Sequence, residues 1–316
     1  MTAAVIRVRG ISKRFGPAGA MALDNVTFDV APGESFGFLG ADGSGKTTLF
    51  RILAGLLPPT AGRASLAEMD VTESRGFLGA VQGYAPQSAQ MPLNRTVADV
   101  LGSWARANGL SVLVRRRRVS ELLSSLDLDA RADVRVVDCT AYEQRRLALA
   151  VALLTDPPIL LLDEPMAGLS PADLLAFSKH FGHLKDAGKT VVLSAPKLAS
   201  LQPVCDRILT LAEGRATRPY ETLKLLEVVG EARHARVFVE VDGNAAGAAG
   251  VLRSVSGVLE VGDTGAAILL FVRPGMFVEQ VALAALEEAG IRVRSLKSAE
   301  IVLNDIVRTL VRREAT

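Results

Sequence analysis

The sequence predicts an α/β protein with a largely parallel β-sheet, followed by a smaller α+β unit. Short apolar runs alternate with segments in which apolar residues recur every three or four positions. Strands that alternate with helices build parallel, covered sheets. A glycine-rich loop joins one such strand to the helix after it, and a second group of strands and helices follows from residue 235. A chain of 316 residues has room for about two domains.

The first part of the chain carries the alternating pattern. Strands are predicted at 5–8, 23–30, 35–39, 159–162, 190–194 and 207–211, and helices at 48–54, over most of 96–155 and at 171–186. Arg115–Arg118 lies in the helical region, where it is either a solvated helix face or a docking surface for acidic groups. We predict a first domain at 1–218, with a helical subdomain at about 90–155, and a second domain at 219–316.

The second domain has the predicted order β-α-β-β-α-β-α. Its strands are expected at 235–241, 257–261, 266–272 and 291–296, and its helices at about 245–254, 276–289 and 299–313. The first six elements have the order of a ferredoxin-like fold. Because this half carries no chemical motif, a structural or regulatory role is expected for it.

Composition excludes several classes of protein. The formal net charge of +2 does not favour nucleic-acid binding. Cys139 and Cys205 stand in unrelated contexts, which excludes a disulfide framework and suits a reducing compartment. The longest unbroken apolar run, 147–154, is far shorter than the roughly 20 residues that cross a bilayer. We therefore expect a soluble chain whose membrane role, if it has one, requires a partner.

A glycine-rich segment predicts a nucleoside triphosphate site. It fits the pattern G-x-x-x-x-G-K-[ST] and follows a predicted strand, and its nine residues are Gly40-Ala41-Asp42-Gly43-Ser44-Gly45-Lys46-Thr47-Thr48. Backbone N–H groups of such a loop, and the positive end of the helix after it, face phosphate oxygens. Lys46 is expected to reach the β- and γ-phosphates, and Thr47 to hold Mg²⁺.

A pair of carboxylates predicts the second half of this site. Asp163 and Glu164 follow the buried run Ile159–Leu162, and ligands collect at the carboxyl ends of strands in such sheets. Asp163 there can hold Mg²⁺, and Glu164 can polarise an attacking water. Two adjacent carboxylates are costly unless a cation balances them.

With these motifs, residues 4–215 resemble the nucleotide-binding subunits of ATP-binding-cassette (ABC) transporters, a P-loop NTPase fold with a mixed sheet and a helical subdomain. Gly40–Thr48 is similar to the Walker A loop, and Ile159–Pro165 to the Walker B segment with Glu164 as catalytic glutamate. Gly83–Gln87 is similar to the Q-loop, which implies that Gln87 approaches Mg²⁺ and the water. Lys13–Gly16 is similar to the loop whose aromatic residue stacks on adenine, which implies this role for Phe15, although Phe15 by itself suits the core equally.

The resemblance implies ATP and Mg²⁺ as cofactors and two protein partners. Single-cassette subunits of drug and polysaccharide exporters carry C-terminal extensions of this size, with endings similar to 298–307. This similarity implies an exporter subunit on the cytoplasmic face of the membrane. Its partners would be a transmembrane permease and a second cassette.

Three motifs depart from the family pattern. The signature, Leu-Ser-Gly-Gly-Gln in the family, is Cys139-Thr140-Ala141-Tyr142-Glu143 here. Thr140 and Glu143 keep capping-box spacing, so the helix start is expected to be intact. We expect Tyr142 to place its ring where the partner's γ-phosphate would sit and Glu143 to add an unfavourable charge. In the alternative, the tyrosine swings aside and the site works slowly.

The switch histidine and the D-loop also differ. Pro196 stands at the histidine position, with Lys197 beside it, and a proline side chain cannot donate a hydrogen bond. His180 and His183 fall in the preceding helix and are expected at the surface. The D-loop, Ser-Gly-Leu-Asp-Pro in the family, is Ala167–Pro171, where Ser170 is expected to cap the next helix.

These departures leave several functions open. The first hypothesis is an exporter ATPase subunit with slow turnover, paired in a homodimer or, with better composite sites, in a heterodimer whose partner has an intact signature. The second is an ATP-binding regulatory subunit without useful hydrolysis. The third, a soluble cassette protein acting on nucleic acid, is disfavoured because a second cassette and a coiled-coil insertion are not visible in the sequence.

Overall fold

The computed structural model describes residues 4–16, 19–88, 91–225, 235–242, 245–263, 268–272 and 278–299. Among these, residues up to Thr222 form one compact unit, and those from Leu223 onward form a second. The domain boundary between residues 218 and 219 stays a prediction.

The first unit begins with a small antiparallel sheet. Its strands are β1 (Ile6–Arg14), β2 (Met21–Val30), β4 (Ala61–Leu66) and β5 (Met69–Asp70), in the order β2-β1-β4-β5. Val26, Phe28 and Val30 alternate along β2 and are buried, which is the pattern of a strand with one face on the core. The chain-start strands expected from sequence are therefore present, and β1 is longer than expected.

The second sheet of this unit is the one that positions the site. It contains β3 (Ser35–Leu39), β6 (Gln82–Ala85), β7 (Ile159–Leu162), β8 (Thr190–Ala195), β9 (Arg207–Ala212), β10 (Arg215–Ala216) and β11 (Tyr220–Glu221). The order is β10-β9-β3-β8-β7-β6, with β11 also on β9, and the strands from β9 to β6 are parallel. The carboxyl ends of β3, β8, β7 and β6 therefore meet at one edge.

In the part of the chain that the structure describes before residue 218, helices lie against these sheets. They are α1 (Lys46–Leu53), α2 (Val97–Ala107), α3 (Val112–Ser125), α4 (Ala141–Ala152), α5 (Pro171–Asp186) and α6 (Leu198–Leu201). Thr96 caps α2 through the N–H of Asp99, and Ser170 caps α5 through the N–H of Asp173, as expected for Ser170. Each such cap stabilises by about 1 kcal/mol.

An aromatic cluster fixes the first helix on the sheet. Phe38 of β3 contacts Phe28, Phe36 and Phe50 with ring centroids 5.1, 5.3 and 5.6 Å away. Edge-to-face pairs of this kind contribute roughly 0.5–1.5 kcal/mol each beyond their buried area. Since Phe50 lies on α1, the cluster holds both ends of the loop between β3 and α1.

Some side chains of the arginine run, Arg115–Arg118, form ion pairs and hydrogen bonds within the chain. Arg117 pairs with Glu121, and Arg118 donates to the carbonyl oxygen of Leu153 and pairs with Asp156. Arg116 is exposed. The solvated-face interpretation thus holds for part of the run, while Arg118 ties α3 to the end of α4.

None of the described helices combines the length and apolar character needed to cross a bilayer.

From residue 235 onward, the described residues of the second unit form an antiparallel sheet with helices. The elements are β12 (Ala235–Val241), α7 (Ala245–Arg253), β13 (Val258–Asp263), β14 (Ile268–Val272), α8 (Val278–Glu288) and β15 (Val293–Ala299). The strand order is β13-β14-β12-β15, and Val237, Leu252, Leu270 and Leu286 share its core. The element order matches the sequence prediction, and the ferredoxin-like assignment stays a prediction. The helix predicted at 299–313 lies outside the described residues except for Ala299, which ends β15.

Candidate nucleotide site

The loop between β3 and α1 has the geometry of a phosphate cradle. Gly45 has φ 108°, and a Cβ there would lie 2.5 Å from the carbonyl oxygen of Ala22. A Cβ at Gly40 would lie 2.4 Å from the carbonyl oxygen of Leu211. Only glycine fits both positions. Gly45 is the N-cap of α1 and no side chain among the described residues caps this helix, so its first N–H groups can face an anion.

Lys46 lies inside this cradle. Its Nζ donates to the carbonyl oxygens of Gly40, at 2.7 Å, and Ala41, at 2.9 Å, and lies 3.2 Å from Oε1 of Glu164. The Lys46 and Glu164 side chains are 3% and 6% exposed. The helix begins at Lys46 rather than at the predicted Thr48, because Gly45 already turns the chain. Thr47 and Thr48 are half-buried in the first turn, and Asp42 and Gly43 are exposed.

Glu164 is held on three sides. Oε2 accepts a hydrogen bond from Nε2 of Gln87 at 2.9 Å, and the main-chain N–H donates to Oγ of Ser194 at 2.8 Å. Its φ of 50° is left-handed, a conformation that costs a non-glycine residue roughly 1–2 kcal/mol. The structure therefore brings Lys46, Glu164 and Gln87 together, as their predicted roles require.

Asp163 has one carboxylate oxygen in use. Oγ of Ser194 donates to Oδ1 at 2.7 Å, whereas Oδ2 is buried without a hydrogen-bond partner among the described residues. Oγ of Ser44 is also buried and has no hydrogen-bond partner among the described residues. Burial, and next the charge of Asp163, raises the pKa of Tyr84 to about 12. Asp163 is itself buried, and an unpaired charge is costly in a buried position.

These unpartnered oxygens fit a bound cation with its water and phosphate ligands. Mg²⁺ uses few carboxylates and completes its shell with water and phosphate oxygens, so a cluster of acidic ligands is not required. Among the described residues, three or more His, Cys, Asp or Glu side chains do not gather at a metal-binding distance. Asp163, Thr47 and Gln87 remain the predicted residues for the ion.

Comparison with known proteins agrees with this geometry. The sequence profile of the ABC transporter family matches residues 23–167. The Nod factor export ATP-binding protein I of Paraburkholderia xenovorans (strain LB400) is 34% identical over 215 residues, which cover 68% of this chain and 70% of that protein. The chain belongs to the ABC transporter family. It is an ATP-binding subunit of that family, whose cassettes bind and hydrolyse ATP, form dimers and pair with membrane permeases.

Solved cassettes share the fold. The ATP-binding cassette MJ0796, in a dimeric post-hydrolysis state bound to ADP and Pi, has a TM-score of 0.63 and 24% identity, covering 69% of this chain and 98% of its own. The cbiO1 protein of Clostridium perfringens, part of the ABC transporter complex cbiONQ, has a TM-score of 0.64 and 24% identity, covering 71% and 91%. The predicted fold of the cassette is thereby confirmed.

Phe15 is not a core residue of the cassette. It is 51% exposed, with Nζ of Lys13 5.4 Å from its ring centroid. Lys13 pairs with Leu23 across the β1–β2 ladder, and a Cβ at Gly45 would lie 2.8 Å from the Leu23 side chain. Strand β2, which pairs with the strand that ends beside Phe15, thus borders the phosphate loop. Adenine stacking on Phe15 stays a prediction.

The signature helix packs both Tyr142 and Glu143 against other parts of the chain, while the position of the Tyr142 ring relative to a partner's phosphate stays a prediction. The Tyr142 ring contacts Phe177 of α5 with centroids 6.0 Å apart, and the Arg146 guanidinium lies 4.4 Å from the Tyr142 ring centroid. The ring is therefore packed within the chain. Glu143 completes the predicted capping box with Thr140 and also accepts from Arg131 at 2.7 Å. The expectation that Glu143 adds an unfavourable charge does not hold within this chain, because its carboxylate is buried and paired with Arg131.

Pro196 directly follows β8, and Gly40 donates to the carbonyl oxygen of Ala195 at 3.3 Å. Pro196 therefore lies beside the phosphate loop, at the place expected for the switch residue. His183 is exposed as expected, but His180 is buried against Phe177 with ring centroids 5.9 Å apart. The surface prediction for His180 is wrong because α5 packs this face inward.

Sequence reasoning missed two contributors to the site. Ser194 joins both carboxylate residues, and Arg145 donates to the carbonyl oxygens of Gln87 and Ala167. A serine that ends an apolar strand was the only signal for Ser194. No local pattern marks Arg145, because its partners lie in distant loops.

Proposed function

We propose that this chain binds MgATP and couples it to export through a separate membrane permease. Lys46 and the N–H groups of the loop bind the β- and γ-phosphates, and Phe15 stacks on adenine. Thr47, Asp163 and Gln87 hold or surround Mg²⁺, which, when bound, neutralises charge on the transferring phosphoryl group. Glu164 orients and polarises the attacking water.

One observation carries this proposal. Lys46 and Glu164 form a buried pair that the exposed Gln87 joins through its amide, at the mouth of a loop that only glycine can build. A carboxylate and a lysine fixed beside an uncapped helix start supply an anion site and a base at the same place. Bound phosphate would compete with Glu164 for the Lys46 ammonium and so release the carboxylate toward water.

We further propose that hydrolysis by the chain alone is slow. Pro196 cannot donate a hydrogen bond where a histidine is expected, and loss of one transition-state donor costs roughly 10²–10³ in rate. The signature lacks both glycines, so close approach of its backbone to a partner's phosphate is restricted. The start of α4 is intact, with the N–H groups of Thr140 and Glu143 used by its capping box, and the Tyr142 ring packs on Phe177. These features favour a slow signature site over a blocked one.

The direction of transport and the partners are proposed from relatives. Curated relatives are named as Nod factor export proteins, which supports export from the cytoplasmic face of a membrane. Because the altered signature and D-loop serve the opposite nucleotide, pairing with a second cassette would place an intact signature opposite this chain's own nucleotide, with Pro196 still in place of the histidine. We therefore favour a heterodimer over a homodimer.

The test begins with the purified full chain. It should bind a fluorescent ATP analogue with Mg²⁺, and Lys46→Ala should abolish binding. The ATPase turnover number of the wild-type chain alone should lie below about 1 s⁻¹, the lower end of typical enzyme kcat values. Turnover of several per second would contradict the proposal of slow hydrolysis. Absence of ATP binding would contradict the function as a whole.

The reconstituted transporter tests catalysis by Glu164. Glu164→Gln should bind ATP and lower ATPase and transport together. Glu121→Gln, which changes an exposed carboxylate of α3, is the matched control and should change neither. Copurification of the tagged chain with a permease from solubilised membranes tests the assembly.

A second function is a regulatory subunit that binds ATP without useful hydrolysis. Pro196 beside the phosphate loop favours it. Under this alternative, Glu164→Gln leaves transport and ATPase of the full complex unchanged, while Lys46→Ala still impairs transport.

A further inference from the structure

Arg145 connects the signature helix to two loops of the catalytic edge. It lies on α4, and its Nη1 donates to the carbonyl oxygen of Gln87 at 2.8 Å. Its Nη2 donates to the carbonyl oxygen of Ala167 at 3.2 Å. Gln87 lies just beyond β6 and Ala167 just beyond Glu164, so one guanidinium bridges the chain on both sides of the candidate site.

The electrostatic setting of Arg145 is unusual for a structural arginine. In the part of the chain that the structure describes, Arg145 has no carboxylate within ion-pair distance, and its hydrogen-bond acceptors are neutral carbonyls. Burial lowers the pKa of this guanidinium, and the charge of Glu164 opposes that shift. The half-buried cation therefore lies in the field of the proposed catalytic carboxylate.

The neighbouring arginine provides a contrast. Arg146 donates to the carbonyl oxygens of Leu126 and Asp127, beyond the end of α3, and packs under Tyr142. Its contacts lie just beyond the end of α3 and on α4 itself. Arg146 thus ties α4 to its neighbours, while Arg145 reaches the loops that carry the predicted chemistry.

We propose that Arg145 is a positioning residue that fixes Gln87 for Mg²⁺. The proposal rests on the proposed MgATP function of the same site. The Arg145 bond anchors the Gln87 main chain, and Nε2 of Gln87 donates to Glu164, which orients the amide so that its Oε1 end can meet the ion. Without the anchor, the Gln87 amide must be ordered when Mg²⁺ binds, at a cost in affinity.

The experiment titrates Mg²⁺ into the full-length protein loaded with a fluorescent ATP analogue. Partners that orient metal ligands typically contribute 10–100-fold to affinity, so Arg145→Ala should weaken Mg²⁺ by roughly that factor. ATP affinity without Mg²⁺ should stay within about two-fold, because Arg145 does not touch the phosphate loop. Arg145→Lys should restore part of the loss, since an ammonium can reach one carbonyl.

A double-mutant cycle separates positioning from general damage. If Arg145 acts through the Gln87 side chain, Arg145→Ala should have little further effect on Mg²⁺ in a Gln87→Ala background. Arg135→Ala is the control, because Arg135 is exposed and pairs with Asp138 in the same subdomain. It should leave both affinities unchanged.

Three results would overturn the role of Arg145. They are an unchanged Mg²⁺ affinity in Arg145→Ala, a full additive loss in the double variant, or an equal loss of Mg²⁺-free ATP binding. The last result would mean a merely structural role. Failure of the wild-type protein to bind ATP would instead refute the proposed function, so the two failures are distinguishable.

Discussion

Replacing Lys46 by Met should destabilise the cassette strongly even without nucleotide. The substitution leaves the Glu164 carboxylate, in a side chain only 6% exposed, without its cation at 3.2 Å. It also removes the donor to the carbonyl oxygens of Gly40 and Ala41. Breaking a buried ion pair in this way costs about 3–5 kcal/mol. At about 2–4 °C per kcal/mol for a unit of this size, Tm should fall by roughly 6–20 °C.

The Lys46→Met/Glu164→Gln double variant should be more stable than Lys46→Met alone. Removing the carboxylate charge as well should return about 2–3 kcal/mol, because the remaining amide is cheaper to bury. Trp104, the only tryptophan of the chain, lies on α2 and is 44% exposed. Its fluorescence during urea unfolding therefore reports the cassette rather than the second unit.

The control is Lys185→Met, which breaks a pair with Asp206 whose side chains are 43% and 41% exposed. That change should cost less than about 1 kcal/mol. A double variant no more stable than Lys46→Met alone would refute the reasoning. In that case the Lys46–Glu164 contact would not stabilise the nucleotide-free site.

Three further predictions use the same protein. Thr140→Ala removes the α4 cap and should cost about 1 kcal/mol in urea unfolding, with unchanged ATP affinity; a weaker ATP affinity would contradict this. Pro196→His should raise ATP hydrolysis by the transporter at least about 10-fold if a missing donor limits it, and an unchanged rate would remove that explanation. Burial lowers the folded-state pKa of His180 below 6.5, so the unfolded state takes up the proton first and stability is lost as pH falls below 6.5. The loss is at most about 1.4 kcal/mol per pH unit; His180→Gln should lose less stability than wild type between pH 7.5 and 5.5, and equal losses would exclude this role for His180.

Contiguous motifs made much of the site predictable. Gly40–Thr48 and Asp163–Glu164 each place their chemistry within a few residues, and the strand before each one fixes where it points. Parallel pairing of β3, β8 and β7 then brings both motifs to one edge. Ser194 and Arg145 could not be predicted in this way, because each acts on residues that only the folded chain brings near.

The incorrect expectations also have a common physical cause. Glu143 and His180 were judged by residue type, without the surfaces that face them. Phe177 of α5 receives both the Tyr142 and the His180 ring, and Arg131 receives the Glu143 carboxylate. Whether a helix residue faces solvent or a neighbour depends on packing between helices, which periodicity alone leaves open.

The altered motifs are expected to separate ATP binding from ATP hydrolysis, two properties that usually occur together in a cassette. Groups that would contact the nucleotide within this chain are present and connected through Lys46, Glu164 and Gln87. The changes at Pro196 and in the signature affect groups expected to act when two cassettes close. Such groups contribute little to ATP binding by one chain and much to the transition state, so their loss should lower the rate far more than the affinity. The start of α4 keeps its cap, and the Tyr142 ring packs on Phe177. Under the proposed pairing, a second cassette would supply an intact signature opposite this chain's nucleotide but would not replace the histidine absent at Pro196.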